Sequence, residues 1–253
     1  MKKHLRKLEI VIISDIHLGT YGCHAHELLN YLNTIKPKIL ILNGDIIDIW
    51  QFNKWYWPKS HMKIIKKIIS FASKKTKVYY LAGNHDELFR KFLPIRIGNL
   101  QILNKKILDI NGKKLWVFHG DLYDYTMKHT KLIAKLGGYG YDFIIFLNRS
   151  INKYLKLIGK EQISFSKRVK NSVKKAVKFI SDFELTIVQM AADNKYDMVA
   201  CGHIHQPLIK DFEIDNKKIE YMNSGDWIEN LTSLEFDGEK WKVFNYKVDF
   251  LDK

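Results

Sequence analysis

Cysteine is scarce, with only Cys23 and Cys201 in 253 residues. That excludes a disulfide-stapled scaffold and fits a reducing compartment. Acids are short too: 27 Asp plus Glu stand against 42 Lys plus Arg, a formal net charge of +15. No apolar run approaches the ~20 residues that a membrane-spanning helix requires. The run Leu8 to Ile13, behind a basic start, is too short for the core of a signal peptide and ends in Ser14-Asp15. It reads as a buried strand. The expected location is therefore cytoplasmic, with any membrane contact peripheral. At 46% apolar and 27% charged residues the composition is that of a globular protein, which excludes disorder and collagen. The length, against ~150 residues per domain, is consistent with a single domain over 1–253.

What is present alternates. Lys7 to Ser14 is a short β-branched run, His24 to Ile35 reads as a helix, and Lys38 to Asn43 is a second strand. Met62 to Lys74 carries Ile64, Ile65, Ile68, Ile69 and Phe71 at helical spacing, and Lys77 to Ala82 is a third strand. Such alternation predicts an α/β fold with helices packed on a largely parallel sheet. After Leu100 the pattern turns to hairpins, with Asn111-Gly112, Asn216 and Asp237-Gly238 as turns. A segment from about 126 to 194 differs from both halves: it is proline-free and rich in helix formers. Its stretch 128–178 holds 13 Lys or Arg against the two acids Asp142 and Glu161. Val169, Val173, Ala176, Val177, Ile180 and Phe183 recur there at helical spacing, with Lys170, Lys174, Lys175 and Lys178 between them. This predicts a helical insertion or cap with a wet basic face.

Chemistry concentrates in five short clusters where strands are expected to end. They are Asp15-Ile16-His17, Gly44-Asp45-Ile46-Ile47-Asp48, Gly83-Asn84-His85-Asp86, His119-Gly120-Asp121 and Gly202-His203-Ile204-His205. The carboxyl ends of strands in an α/β sheet form one rim, where sites assemble. On an extended segment, Asp-x-His and His-x-His would each present two side chains on one side. Carboxylates, an amide oxygen and neutral imidazoles suit Mn²⁺, Fe or Zn²⁺ better than Ca²⁺. Asp45, between the two ligand sets in the chain, is the natural bridge for two metals ~3.5–4 Å apart, which would activate a water against a phosphoryl group. Taken singly, each cluster could be a capped helix start or a satisfied core histidine; five in this order are not explained that way.

The pattern resembles the calcineurin-like metallophosphoesterases, whose signature is Asp-x-His, Gly-Asp-x-x-Asp, Gly-Asn-His-Asp, a lone His and Gly-His-x-His. The resemblance implies a four-layer αββα sandwich and two divalent metal ions, with Mn²⁺ favoured over Fe or Zn²⁺. One metal would take Asp15, His17, Asp45 and His205; the second would take Asp45, Asn84, His119 and His203. Asn84 and His203 would also meet substrate. His85 would contact the phosphoryl group or leaving oxygen, oriented by Asp86.

Within that superfamily the chain looks most like the UDP-2,3-diacylglucosamine hydrolases of lipid A synthesis. It shares their helical insertion between the fourth and fifth clusters, a Trp two residues beyond Asp48, and Asn171-Ser172-Val173-Lys174, similar to a substrate-binding Asn-Ser-x-Lys run. Asn171 and Lys174 lie three apart, so on a helix both can face one ligand. The resemblance implies an amphiphilic nucleotide-lipid substrate and peripheral contact with an anionic membrane surface, on the cytoplasmic face of the inner membrane. Two departures stand out: His85 replaces an Arg that grips the substrate phosphate in those hydrolases, and Asp48 replaces a Glu. Arg90 is the candidate replacement cation, with a solvated helix-end charge as the plain alternative. The basic insertion admits a solvated face, a lipid cap or a nucleic-acid surface. The rival activities are a nuclease of the same superfamily, against which the insertion inside the catalytic core counts, and a binding protein on the same fold.

Overall fold

Eight residues from Arg6 to Ile13 form the first strand, β1, and from Ile10 onward its side chains alternate between two faces. Val11 and Ile13 join one core cluster while Ile10 and Ile12 join another. Strands β2 (Ile35–Asn43) and β3 (Lys77–Leu81) repeat the division: Leu40, Leu42, Val78 and Tyr80 fall on the first side, Ile41, Tyr79 and Leu81 on the second. A sheet whose strands are apolar on both faces must be covered on both. On one face lie helices α1 (Ala25–Leu32) and α2 (Lys59–Ser73), which bury Leu28, Tyr31, Ile64, Ile68 and Phe71. On the other lies a second sheet.

The computed structural model describes residues 5–50, 56–123 and 165–250. Among them the first sheet has seven strands in the order β12-β11-β1-β2-β3-β5-β4, and the second has five in the order β6-β7-β8-β10-β9. The later strands are β4 (Ile95–Ile97), β5 (Leu100–Leu103), β6 (Lys105–Ile110), β7 (Lys113–Phe118), β8 (Met198–Cys201), β9 (Leu208–Ile214), β10 (Lys217–Asn223), β11 (Thr232–Phe236) and β12 (Trp241–Asn245). Leu115, Val117, Met198, Ala200 and Met222 face the first sheet, so the two sheets share one apolar layer. Trp116 and Val199, of opposite parity, are buried on the outer face of the second sheet. Helix α3 (Phe165–Asp193) ends beside that face: Ile187, Val188 and Ala191 are buried, and the ring of Tyr196 lies 5.5 Å from that of Trp116. Helix, sheet, sheet and helix are the four expected layers. A final short helix, α4 (Tyr246–Asp249), is capped by the Asn245 side chain.

The strands β1, β2, β3 and β5 run parallel, as do β7, β8 and β10, so their carboxyl ends share one rim. Some expectations shift. The helix over 24–35 stops at Leu32, because Ile35 already pairs with Arg6 at the start of β2. Leu100–Leu103 opens no hairpin layer; it extends the first sheet in parallel with β3. Ile69, expected on the buried face of α2, is 56% exposed. Asn111-Gly112 does make the tight β6–β7 turn, both residues in the left-handed region at φ 53° and 81°.

The chain divides into two compact units, Met1–Leu122 with Ile187–Lys253, and Tyr123–Thr186. Of the expected insertion at 126–194, the part from Phe165 to Asp193 is a single helix, and 126–164 lie outside the described residues. No helix among the described residues is long and apolar enough to cross a membrane.

Candidate metal centre

Beyond the last residues of β1 and β2 the two chains remain zipped together. Asp15 and His17 donate their N–H groups to the carbonyls of Gly44 and Asp45, and Asp48 donates to Leu18. This fixes two chemically loaded loops side by side. The extended spacing expected for Asp-x-His is not how the side chains converge: Asp15 and His17 have φ of 54° and 52°, Asp45 53°, and His203 and His205 66° and 55°. Five residues of the cluster therefore stand in the left-handed region, which L side chains seldom occupy and which marks functional constraint.

Three groups of side chains present ligand atoms to a common point: Asp15, His17 and His205; Asp45, His119 and His203; and His17, Asp48 and His85. The first two groups are parts of the sets anticipated for the two metals, the first without Asp45 and the second without Asn84. Asp45 Oδ2 lies 3.9 Å from His17 Nε2 and 3.4 Å from His119 Nε2, one histidine from each set. Asn84 is buried beside them at 7% exposure, and both atoms of its amide lack a protein partner.

The histidines are aimed from behind. His119 donates from Nδ1 to the Asn43 carbonyl at 2.8 Å, and His17 donates from Nδ1 to Asp48 Oδ2 at 2.9 Å. Each ring is thereby oriented with Nε2 toward the centre. Both Nε2 atoms are buried without a hydrogen-bond partner. Buried polar atoms without a partner are costly unless something fills the gap. A cation held by imidazole, carboxylate and amide oxygen fits these unpartnered atoms and this donor set.

Glycines allow the close approach. A Cβ on Gly83 would run into Asp45 Oδ1, the Asp45 backbone nitrogen and the His119 ring. Gly44, at φ 82°, would drive its Cβ into His119 as well.

Electrostatics tie the sets together. Burial pushes the Asp15 carboxyl up, but His205 and His119 outweigh it and hold it at about 2. Burial also raises Asp45, and His119, His17 and His85 pull it well below the usual carboxylate range. In return, burial opposes protonation of His119 and His205, yet Asp45 and Asp15 raise the first to about 10, and Asp15 raises the second to about 9. Without a metal these two imidazoles carry the counter-charge, so metal uptake must release protons.

The remaining candidates fall differently. His85 sits at the edge, its Nε2 3.9 Å from Asp45 Oδ2 and its ring 4.7 Å from that of Trp50. The carboxylate against its other nitrogen is Asp48, 2.9 Å from Nδ1, and not Asp86. Asp86 is committed elsewhere: Oδ2 accepts from Tyr80 and from the Ile46 N–H, and Oδ1 from the Gly83 N–H. Burial and the nearby Asp45 push its carboxyl up. It shapes the loop that carries Asn84. Arg90 is not a solvated helix-end charge, since its Nη2 donates to the Ala82 carbonyl and to Asp121 Oδ1, both at 2.8 Å. Lys174 is exposed on α3, and the Asn171 side chain lies outside the described residues. Residues not singled out as ligand supports include Asn43, for which the sequence offers no signal. Asp226 accepts three N–H groups of the turn that follows it and lies 3.9 Å from His205 Nδ1.

The centre is that of a metallophosphoesterase: residues 8–207 match the calcineurin-like phosphoesterase family, and the chain belongs to it. Among curated proteins it is similar to the UDP-2,3-diacylglucosamine hydrolase of Blochmanniella floridana, at 24% identity over 87% of this chain and 90% of that protein. The enzyme of the same name from Aeromonas salmonicida is 23% identical over 88% and 87%. Among solved structures, the phosphoesterase Yfce from E. coli is 13% identical over 94% of this chain and 92% of that one, with a TM-score of 0.44.

Proposed function

We propose that this chain hydrolyses the pyrophosphate of UDP-2,3-diacylglucosamine, or of a related nucleotide-lipid, to UMP and a diacyl sugar phosphate. The observation that carries the phosphohydrolase chemistry is Asp45 Oδ2 set between His17 Nε2 and His119 Nε2. The substrate rests on the hydrolases of that name, which match this chain over most of both lengths.

Asp15, His17, Asp45 and His205 would hold one divalent ion, and Asp45, Asn84, His119 and His203 the other. Such a pair supplies Lewis acidity at a phosphoryl oxygen and lowers the pKa of water, with Mn²⁺ our choice of metal. The chain's own part is to keep both imidazole Nε2 atoms aimed inward through Asp48 and the Asn43 carbonyl. His85, with Asp48 Oδ2 2.9 Å from its Nδ1, would give a proton from Nε2 to the leaving oxygen. The basic run within 128–178, with Asn171 and Lys174, would meet the substrate's phosphates and the anionic headgroups around it, on the cytoplasmic face of a membrane.

A second reading has one observation in its favour. His85 stands where the resembled hydrolases carry a phosphate-gripping Arg, which suits a phosphoesterase acting on another ester. Mn²⁺-dependent turnover of UDP-2,3-diacylglucosamine, measured beside single-stranded DNA and bis-p-nitrophenyl phosphate, separates the two. Preferential release of UMP is expected. Turnover of the generic ester or DNA alone would remove the lipid assignment and leave the phosphoesterase.

A further inference from the structure

The ligands of the two sets are not equally supported. His17 is aimed by Asp48 and His119 by the Asn43 carbonyl, but the Asn84 amide has no protein partner at either atom. With no hydrogen bond to hold it, its direction depends on the packing around it and on its backbone, which is the bend leaving β3. Besides backbone bonds from Ile49 to the His85 carbonyl and from Ala82 to the Leu103 carbonyl, three side chains tie the bend. The His85 N–H donates to Asp45 Oδ1 at 2.8 Å, Gly83 donates to Asp86, and Arg90 donates to the Ala82 carbonyl.

The Arg90 tie does more than close its own loop. Arg90 comes from the short 3₁₀ turn Glu87–Phe92 and reaches back to the residue just before Gly83-Asn84. The same Nη2 donates to Asp121 Oδ1, two residues beyond His119. Ala82 follows a strand of the first sheet and Asp121 follows a strand of the second. One guanidinium nitrogen thus joins the strand end that presents Asn84 to the strand end that presents His119. The side chains of the pair are 20% and 9% exposed, so the link is largely shielded from water. A charge-assisted bond in that setting is short, directional and hard to replace.

We propose that Arg90 and Asp121 form a positioning brace for the second ligand set, fixing the separation of Asn84 and His119 across the two sheets, and that Arg90 is not a substrate-binding cation. The inference rests on the two-metal reading given above. It predicts a selective effect: loss of the brace loosens the metal held by Asn84 and His119 and leaves the one held by Asp15, His17 and His205.

The test is calorimetric titration of the chelator-stripped full chain with Mn²⁺, the two equivalents being assigned with His17→Ala and His119→Ala. Arg90→Gln and Asp121→Asn should each weaken the second equivalent ~10–100-fold, the range for residues that orient metal ligands. The double variant should be no weaker than either single one, because both remove the same link. Arg90→Lys, which keeps one donor nitrogen and most of the bulk, should recover part of the loss and carries the test if Arg90→Gln does not fold. Wild-type affinity for both equivalents in these variants overturns the brace. Equal weakening of both equivalents overturns it too, by making the pair a general support of the fold. A raised KM for nucleotide-lipid at unchanged metal affinity returns Arg90 to substrate contact. A wild-type chain that takes up one equivalent only sinks the two-metal reading itself, and the brace with it.

Discussion

The two ligand sets differ in what stands behind them. In the set of Asp15, His17 and His205, His17 is backed by a carboxylate, Asp48, 2.9 Å from its Nδ1, while Asp226 stands 3.9 Å from His205 Nδ1, beyond hydrogen-bond reach. In the set of Asp45, Asn84, His119 and His203, His119 leans on a neutral carbonyl and Asn84 on its loop. A carboxylate behind an imidazole raises its basicity as well as fixing its tautomer, whereas a carbonyl chiefly orients. The first set should therefore be the tighter, and the second the one that depends on the geometry of the surrounding loops. On the proposed two-metal reading Asp45 is shared by both, so it alone should be indispensable to both.

The largest expected effect follows from that shared position. Asp45→Ala should abolish both metal equivalents and lower turnover by at least ~10²–10³-fold, with metal content and rate measured on one sample. Full activity at wild-type metal content would end the comparison altogether. Asp48→Asn should come next, weakening the first equivalent ~10–100-fold while sparing the second, as titration would show. A loss confined to the second equivalent would invert the ranking. Gly83→Ala should cost ~1–3 kcal/mol in denaturant unfolding, since the new Cβ meets Asp45 and His119.

A smaller effect concerns the metal-free protein. His205 and His119 are raised above 6.5 to about 9 and about 10, so the stability they contribute is fully present below pH 6.5 and is lost as pH rises through 9 to 10. Thermal melts in chelator should fall across that window, and melts with bound metal should be flatter, because the imidazoles then carry no proton to lose. The smallest effect lies far from the centre. Lys174→Ala, on the exposed surface of α3, should raise KM for the nucleotide-lipid a fewfold and leave metal titration unchanged; identical kinetics would remove the cap role.

Much of this was legible before any coordinates. The apolar runs in Leu8 to Ile13 and Lys38 to Asn43 report buried strands, and both form. The clusters were legible together, as five in one order where strands were expected to end and through their resemblance to a family signature; singly each could be a capped helix start. What stayed hidden was whatever depends on a partner distant in sequence. The family resemblance implied Asp86 behind His85; the fold instead sets Asp48, 37 positions earlier, against the imidazole. Arg90 read as a free cation because Asp121 is 31 residues away. The Asn43 support uses a backbone carbonyl, which no side-chain pattern can announce.

The left-handed backbone at Asp15, His17, Asp45, His203 and His205 restricts which chemistry mutation can reach. Outside glycine, that conformation is entered most readily by Asn, Asp and His, the short polar residues that also make oxygen and imidazole ligands. Cysteine and glutamate coordinate metals as well, but neither shares that backbone tolerance. A single substitution toward a thiolate would have to bear the conformational cost along with the change of ligand. The alphabet open to these five positions is thus set twice, once by the metal and once by the backbone, and the two restrictions coincide on the hard and borderline donors. Drift toward a site for soft metals is closed off by the path of the chain, before selection for activity has any say.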